Sequence, residues 1–394
     1  MVAAQELPAP AMPPVTGAWR VRDHPGRRRF ADVGRLPLEA GGQLDDVRVA
    51  YETWGKLSPA ADNAVLVLHA LTGDSHVTGA PDQGHPTPGW WDDLIGPGRA
   101  IDTDRWYVVA PNVLGGCQGT TGPASDHPDG RPYGSRFPFI TVRDQVAAEA
   151  ALADQLGIDR WALAVGGSMG GMRAVEWAAG HPHRVERLLA VATCAAATGD
   201  QIAWCAPQLA AIRTDPNYAD GDYYGAAPGQ GPHVGLGIAR RIAQLTYRSG
   251  NEINLRFGRT HQLGENPIGG SGRYAIESYL DHHADKLVHR FDANSYVVLT
   301  EAMNSHDVGR GRGGVASALS RVTARTVVAA IDSDRIYPVD LGAEIAAGVP
   351  DAAPLRVVHS PYGHDAFLIE AEEVGQLVTG LLDGSPARPL RSTR

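Results

Sequence analysis

Cysteine is scarce in this sequence. Three cysteines (Cys117, Cys194 and Cys205) occur among 394 residues. An odd number cannot pair completely, and three do not make the disulfide framework of a small secreted domain. A chain of this length buries a sizeable core without covalent cross-links. We therefore expect a reducing compartment, with the cytoplasm as the default location.

Long apolar runs and a basic surface are also missing. No apolar stretch approaches the roughly 20 residues of a membrane-spanning helix. The formal net charge is −9, and the basic residues do not form the stripe that nucleic-acid binding requires. The N-terminus is rich in Pro and Ala and lacks the basic region and apolar core of a signal peptide. These absences predict no membrane and no nucleic-acid partner.

The composition itself is that of a globular protein. Hydrophobic residues make up 43% of the chain and charged residues 20%, which is an ordinary balance. The two ends differ from the rest, and we expect residues 1–25 and 385–394 to be poorly ordered tails.

Six short apolar runs have the continuous hydrophobic pattern of buried parallel strands. They are residues 64–69, 106–111, 161–167, 187–193, 326–332 and 355–360. Amphipathic helical patterns separate them, for example over 141–158, 339–349 and 370–382. Glu149 interrupts the apolar face of the first of these helices. The alternation predicts an α/β fold, with a mostly parallel central sheet and helices on both faces.

The middle of the chain has no strand pattern of comparable strength. From 197 to 318 the sequence is helical in character, apart from a stretch between 214 and 237 that is rich in Gly, Pro and Tyr. Strand patterns resume at 326. We therefore expect an inserted helical lid over 197–318, within an α/β core formed by 26–196 and 319–384.

One predicted strand ends in a serine surrounded by glycines. The segment Gly166-Gly167-Ser168-Met169-Gly170 fits the pattern Gly-x-Ser-x-Gly between a strand and a helix, which is the context of a nucleophile elbow. The turn is so sharp that side chains two residues away on either side would collide. The N-terminus of the following helix favours a developing oxyanion. The pattern predicts Ser168 as a nucleophile rather than an inert turn residue.

A nucleophilic serine needs a base and an acid that orients the base. After an elbow of this kind they follow in the order acid, then histidine. Asp332 and Asp334 come just past one predicted strand, and His364 lies in the loop after the next, with His359 at that strand's tip. We choose Asp334 and His364 because they lie farther into the loops, and Asp332 is the alternative acid, which instead caps the turn.

The oxyanion of acyl transfer needs two backbone N–H donors. One should come from the residue after the nucleophile, Met169, and the other from the loop after an early strand. The strand at 64–69 ends at His69, and Leu71 follows in that loop. We expect the Leu71 and Met169 amides to form the oxyanion hole, and His69 to be a structural histidine at the strand end.

Several longer stretches carry a resemblance to one family. They are AYETWGKL (50–57), HALTGDSH (69–76), PNVLGGCQGTTGP (111–123), GGSMGG (166–171), ARRIAQLTYRS (239–249), DANSYVVLTEAM (292–303), GRGRGG (309–314), DSDRIYP (332–338) and GHDAF (363–367). They lie between residues 50 and 367, within matching text that extends from about residue 30 to 384. The sequence resembles the homoserine O-acetyltransferases, which are α/β-hydrolase-fold enzymes of methionine biosynthesis.

The resemblance implies a reaction. An acetyl group would pass from acetyl-CoA to the hydroxyl of L-homoserine by a ping-pong route through acetyl-Ser168, and O-acetyl-L-homoserine would leave. Asp334 and His364 would complete the triad. It also implies a homodimer through the inserted helices. We expect no metal and no tightly bound cofactor. Alternatives of other classes stay open: a succinyl donor, a serine acceptor, a plain esterase or lactonase, or a non-catalytic binding protein.

The resemblance further implies residues for the amino-acid substrate. Asp365 would bind the homoserine ammonium, and Arg240 its carboxylate, with Tyr247 nearby on the same helical face. A guanidinium suits a carboxylate because two parallel hydrogen bonds form. Arg241 and Arg248 are neighbouring alternatives for that role.

Three other features have non-catalytic interpretations that we prefer. No strand precedes GRGRGG at 309–314, so it is a loop and not a dinucleotide-binding turn. His282, His283 and His289 lack regular metal-ligand spacing and fit a solvated lid helix. Cys117 has no base beside it in the sequence and is expected to be structural.

Overall fold

A computed structural model describes residues 12–384, which form ten strands and eleven α-helices. The strands are β1 (Arg29–Pro37), β2 (Gln43–Trp54), β3 (Ala64–Leu68), β4 (Ile95–Gly96), β5 (Ile101–Asp102), β6 (Tyr107–Pro111), β7 (Leu163–Gly167), β8 (Arg187–Val191), β9 (Arg325–Ile331) and β10 (Arg356–Val358). The helices are α1 (Val142–Gln155), α2 (Met169–Gly180), α3 (Gly199–Arg213), α4 (His233–Tyr247), α5 (Gly250–Phe257), α6 (Ala275–Arg290), α7 (Ala293–Asn304), α8 (Val315–Leu319), α9 (Val339–Gly348), α10 (Ala366–Ile369) and α11 (Ala371–Leu382).

The main sheet has eight strands in the order β1-β2-β6-β3-β7-β8-β9-β10. The six strands from β6 to β10 in that order are parallel. β2 pairs antiparallel with both β1 and β6. Because the carboxyl ends of parallel strands meet at one edge of a sheet, the loops after β3, β7, β9 and β10 gather there.

Helices cover both faces of this sheet. On one face, α1, α2 and α9 pack against strand residues such as Leu66 and Leu188. On the other face, α11 and the segment around Trp91 pack against Val65 and Val165. Neighbouring residues of one strand join different cores because successive side chains point to opposite faces. The predicted fold class is confirmed.

All six predicted strands are present, each within two residues of its predicted bounds. β1 and β2 were not predicted. Charged side chains such as Asp45, Asp46 and Arg48 interrupt the apolar pattern of β2, because the first half of this strand pairs only with the edge strand β1 and exposes several side chains to solvent. The β1–β2 pairing is also irregular around Gly34, so its sequence shows no even alternation.

The helices α3 to α8 form the segment between β8 and β9, and this segment contains no strand in the described chain. Its buried side chains, such as Leu209, Leu236 and Tyr296, form one apolar cluster with Leu71 and Met169. Since those two residues follow β3 and β7, the helical segment lies over the carboxyl edge of the sheet.

The N-terminal segment packs against the rest of the molecule from residue 13 onward, where the Pro13 carbonyl accepts from the Gly229 N–H at 2.8 Å. Thr16 Oγ1 donates to Asp292 Oδ1 at 2.7 Å. The Gly17 N–H donates to the Phe291 carbonyl at 3.1 Å, and the Trp19 N–H donates to the Cys117 carbonyl at 2.9 Å. This differs from the expected tail over 1–25, because backbone hydrogen bonds to three separate loops hold the segment. Residues 1–11 and the expected tail at 385–394 lie outside the described residues.

Candidate active site

Ser168 occupies the turn between β7 and α2 in a strained backbone conformation, with φ 58° and ψ −127°. Such a conformation costs a non-glycine residue about 1–3 kcal/mol, so the surroundings must hold it. The Ser168 N–H donates to the Val191 carbonyl at 3.0 Å, and the Ser168 carbonyl accepts from Thr193 Oγ1 at 2.9 Å. The end of β8 therefore fixes the turn on which the hydroxyl stands.

Glycine is required on both sides of Ser168 because neighbouring backbone segments lie too close to leave room for a side chain. A Cβ on Gly170 would lie 2.0 Å from the Leu68 carbonyl oxygen, and a Cβ on Gly166 would lie 2.4 Å from the Gly170 backbone. Both distances are far below van der Waals contact. The first turn of α2 thus packs directly on the end of β3, as the sequence pattern predicts.

Asp334 and His364 come together from the loops after β9 and β10. His364 Nδ1 donates to Asp334 Oδ2 at 2.6 Å, and both side chains are buried. Asp334 Oδ1 accepts from the backbone N–H groups of Ile336 and Tyr337, each at 2.9 Å. The carboxylate is therefore held in place and fixes the tautomer and orientation of the imidazole.

Two aromatic rings connect His364 to the Ser168 turn. The Tyr337 ring stacks on the imidazole with centroids 4.9 Å apart, and the Phe367 ring is 5.4 Å from it. Phe367 also packs on the backbone of Gly167. Burial holds the pKa of Tyr337 well above its usual range, while a hydrogen bond with the Ser168 side chain lowers it.

The alternative acid and base of the sequence analysis pair with each other instead. His359 Nδ1 lies 2.8 Å from Asp332 Oδ2, and Asp332 Oδ1 accepts from the Ser360 N–H at 3.1 Å. Both side chains are largely exposed. This second pair ties β9 to the loop after β10 and does not involve Asp334 or His364.

The Leu71 and Met169 amides are free to bind a ligand. Neither N–H donates a hydrogen bond to any group in residues 12–384. Met169 is the first residue of α2, where helical N–H groups have no partner within the helix. Leu71 follows β3, on which this end of α2 packs. His69 is structural: its Nε2 accepts from the Val113 N–H at 3.1 Å, and burial lowers its pKa to about 3.

Arg240 presents an unpaired guanidinium close to His364. Its Cζ lies 5.3 Å from the Tyr247 ring centroid, and that ring is 5.8 Å from the His364 ring. The Nε and Nη1 atoms of Arg240 are buried and have no hydrogen-bond partner among the described residues. Because a buried charge without a partner is costly, these atoms suit an anionic ligand group.

The two neighbouring arginines are already engaged. Arg241 donates to Asp281 through Nε at 3.0 Å and through Nη2 at 2.8 Å. Arg248 donates to Glu252 at 2.8 Å and to Asp365 at 3.4 Å. Of the three, Arg240 is the one with buried unpaired nitrogen atoms, which favours it as the carboxylate-binding residue.

Asp365 follows His364 directly and lies between charged groups. Burial raises the pKa of its carboxyl, whereas the charges of His364, Arg240 and Arg248 lower it. Its one side-chain hydrogen bond within residues 12–384 comes from Arg248 Nη1 at 3.4 Å, which is long and leaves acceptor capacity for a ligand ammonium.

The other candidates of the sequence analysis have structural surroundings. Burial raises the pKa of the Cys117 thiol to about 12, so the thiol stays protonated and is a poor nucleophile. Arg310 and Arg312 of the 309–314 loop form ion pairs with Glu39 and Glu176. The histidines at 282, 283 and 289 lie on α6, where the first and last are exposed.

Sequence reasoning missed two buried groups of charged residues. Glu149, which interrupts the apolar face of α1, accepts from Arg173 at 2.6 Å and from Trp177 Nε1 at 2.8 Å. Arg173 in turn donates to the His69 carbonyl at 2.6 Å. The second group consists of Glu52, His76 and His85: His85 Nε2 lies 2.7 Å from Glu52 Oε1, and the two imidazole rings stack with centroids 4.3 Å apart.

Comparison with known proteins agrees with this geometry. A family model described as alpha/beta hydrolase fold matches residues 63–371. The sheet order and the elbow define the same class of protein. The homoserine O-acetyltransferase of Thermobifida fusca (strain YX) is 62% identical over 370 residues, which cover 94% of this chain and 97% of the relative. That of Leifsonia xyli subsp. xyli (strain CTCB07) is 60% identical, with 92% and 91% covered. The chain therefore belongs to the homoserine O-acetyltransferase family.

Solved structures show the same fold in two kinds of enzyme. The homoserine O-acetyltransferase from Bacillus anthracis superimposes with a TM-score of 0.83 at 26% identity, covering 92% of this chain and 99% of that one. Esterase E22 superimposes with a TM-score of 0.82 at 28% identity, covering 90% and 99%. The fold alone therefore does not separate a transferase from an esterase.

Proposed function

We propose that this protein transfers the acetyl group of acetyl-CoA to the hydroxyl of L-homoserine, in two steps through an acetyl-serine. The observation that carries the proposal is the unpaired guanidinium of Arg240, which contacts Tyr247 beside His364. A substrate with a carboxylate and an ammonium group needs one cation and one anion near the nucleophile. Arg240 and Asp365 supply them, and the membership of the homoserine O-acetyltransferase family agrees.

In the first step, His364 takes the proton of Ser168, and the serine Oγ attacks the thioester carbon. The Leu71 and Met169 N–H groups bind the oxyanion. The carbon–sulfur bond breaks, and the leaving thiolate takes the proton from His364. CoA departs, and the acetyl group remains on Ser168. Asp334 keeps the imidazole oriented and stabilises its protonated form.

In the second step, homoserine binds with its carboxylate on Arg240 and its ammonium on Asp365. His364 takes the hydroxyl proton as the hydroxyl oxygen attacks the acetyl carbon. The bond between that carbon and Ser168 Oγ breaks, His364 returns the proton to Oγ, and O-acetyl-L-homoserine forms. Water competes with homoserine here, so a transferase must hold the alcohol close and keep the site dry. We propose that the helical segment over 197–318 acts as a lid with this role.

Ester hydrolysis is the second candidate, because esterase E22 shares the fold. CoA release from acetyl-CoA with and without homoserine separates the two. A transferase releases CoA in proportion to homoserine, and an esterase releases it regardless of homoserine. Running succinyl-CoA and L-serine in the same assay tests the choice of donor and acceptor.

Replacing Ser168 by alanine tests the nucleophile. We expect turnover to fall by about 10⁴-fold or more, since the triad acts as a unit. Mass spectrometry of the wild type with acetyl-CoA alone should show one added acetyl group on the peptide with Ser168. Ser271→Ala, in an exposed loop, is the matched control and should retain full activity. Near-normal turnover of Ser168→Ala would refute the assignment.

A further inference from the structure

Arg173 is a fully buried cation on the helix that begins at the nucleophile turn. It lies one turn beyond Met169 on α2, and its side chain is 0% exposed. Its Nη1 donates to Glu149 Oε1 on α1 at 2.6 Å, and its Nη2 donates to the His69 carbonyl, directly after β3, also at 2.6 Å. The guanidinium therefore joins three elements: α1, α2 and the end of β3.

Stability alone does not explain this ion pair. Arg173 Nε is buried and has no hydrogen-bond partner in residues 12–384, and the Glu149 side chain is buried as well. Withdrawing two charges from water is costly, and apolar side chains of the same volume are often as stabilising as such a pair. What the pair supplies is a fixed distance between α2 and the His69 carbonyl.

The His69 carbonyl begins the loop that carries one of the two oxyanion donors. Within this loop the Ala70 carbonyl accepts from the Gly73 N–H at 2.9 Å and from His69 Nδ1 at 2.7 Å. Nδ1 carries the proton, because His69 Nε2 accepts from the Val113 N–H. In a trans peptide the N–H points opposite to the carbonyl, so the Leu71 N–H points away from these donors. The bonds on the His69 and Ala70 carbonyls thus set the direction of the Leu71 N–H.

The other oxyanion donor, the Met169 N–H, lies at the start of the helix that carries Arg173. Close packing brings this helix onto the same strand end: a Cβ on Gly170 would lie 2.0 Å from the Leu68 carbonyl oxygen and 3.0 Å from that of His69. Arg173 fastens the contact one turn farther along α2. The two N–H groups therefore keep their position relative to each other.

We propose that Arg173, held by Glu149, is a positioning residue of the oxyanion hole. It acts through the His69 carbonyl on the Leu71 N–H and is not itself a catalytic residue. The inference rests on the proposed acyl transfer through Ser168 and deepens it, because it names what keeps the second oxyanion donor in place. A misplacement of about 1 Å in such a site can cost about 100-fold in rate.

The double variant Arg173→Met/Glu149→Gln tests this role without leaving a buried charge unpaired. The amide oxygen at position 149 can still accept from Trp177 Nε1, which donates to Glu149 Oε2 at 2.8 Å. We expect the rate of Ser168 acetylation by acetyl-CoA and the kcat of transfer to fall about 10- to 100-fold. The KM for homoserine should stay within about threefold of the wild type, because the proposed homoserine contacts are unchanged. Single-turnover acetylation and steady-state kinetics measure these effects.

Arg173→Lys is a milder variant that keeps the charge beside Glu149. An ammonium lacks the planar fork that reaches both Glu149 and the His69 carbonyl, so the acetylation rate should fall by at least about threefold. The rate at which a fluorophosphonate labels Ser168 gives a second readout, since its tetrahedral adduct binds the same two N–H groups. Labelling should slow in parallel with acetylation in both Arg173 variants.

Glu176→Gln/Arg312→Met is the matched control, because it removes another largely buried ion pair of α2. Arg312 Nη1 donates to Glu176 Oε2 at 2.9 Å, and this pair joins α2 to the 309–314 loop rather than to the end of β3. The control should acetylate Ser168 at close to the wild-type rate. Melting temperatures of all variants show how much stability each change costs.

Two results would overturn the inference and leave acyl transfer intact. One is acetylation at the wild-type rate by both Arg173 variants. The other is an equal loss of rate in the Glu176/Arg312 control, which would mean that any buried ion pair of α2 has the same effect. A wild-type protein that forms no acetyl-Ser168 would instead refute the proposed function, and the inference with it.

Discussion

Arg240 and Arg241 are consecutive, yet their side chains have opposite surroundings. Arg240 has unpaired buried nitrogen atoms, whereas Arg241 is paired with Asp281. We expect Arg240→Met to raise the KM for homoserine about 10- to 100-fold, because charge-assisted hydrogen bonds contribute about 1.5–3 kcal/mol. The first step, acetylation of Ser168 by acetyl-CoA, should keep its rate. Steady-state kinetics and a single-turnover acetylation assay measure the two effects.

Arg241→Met is the matched control for this prediction, since it removes the same charge one residue away. Its KM for homoserine should stay within about threefold of the wild type, as expected for a partly exposed ion pair. If the two variants had equal KM values, Arg240 would not be the carboxylate-binding residue.

At the scale of single residues, the position of an acid and a histidine in the loops after two strands was enough to predict that they would pair. Asp334 and His364 come together because β9 and β10 are adjacent parallel strands, so the loops after them meet. Glu149 could not be predicted in this way. Its partner Arg173 lies on another helix, and a helical pattern shows only which face a residue occupies, not what packs against that face.

Among the structural elements, the strand–turn–helix around Ser168 is the most tightly constrained. We expect Gly170→Ala to destabilise the protein by about 1–3 kcal/mol, since the added methyl group would overlap the Leu68 carbonyl and backbone atoms move less easily than side chains. Activity should be lost with it, because the Ser168 hydroxyl moves. Urea unfolding and the CoA-release assay measure the two effects.

The control for Gly170→Ala is Gly199→Ala in the first turn of α3. No atom lies within 4 Å of a Cβ at Gly199, so the methyl group meets open space. The free energy of unfolding should change by less than about 1 kcal/mol, and activity should be unaffected. A stable and active Gly170→Ala protein would contradict the described packing of the turn.

The sequence predicted elements well where burial on both faces makes a strand apolar throughout. β3 and β7 are such strands, and they were found. β2 was missed because half of it is charged and exposed, and Glu52 was missed with it. The residues that meet Glu52 lie on a loop without regular structure, so no periodic pattern connects them.

At the scale of the whole molecule, α4 has two faces with different environments. Arg240 and Tyr247 lie on the face turned toward the site. Val234, Ile238 and Leu245 lie within about 40° of one another on the opposite side, by helical geometry, and their exposed fractions are 67%, 41% and 36%. An exposed apolar stripe on a helix is typical of an interface.

We expect this stripe to form the centre of a homodimer, in which two copies of α4 meet across a twofold axis, because such an interface is self-complementary. Ile238→Glu would place two like charges near the axis and should convert the dimer to a monomer at micromolar concentration. Sedimentation velocity or light scattering after gel filtration measures the mass. Leu263→Glu is the matched control, since Leu263 is 94% exposed and lies in the loop between α5 and α6 rather than on α4, and it should leave the mass unchanged. A wild-type protein that is monomeric at high concentration would refute the homodimer, and an Ile238→Glu variant with the dimer mass would place the interface elsewhere.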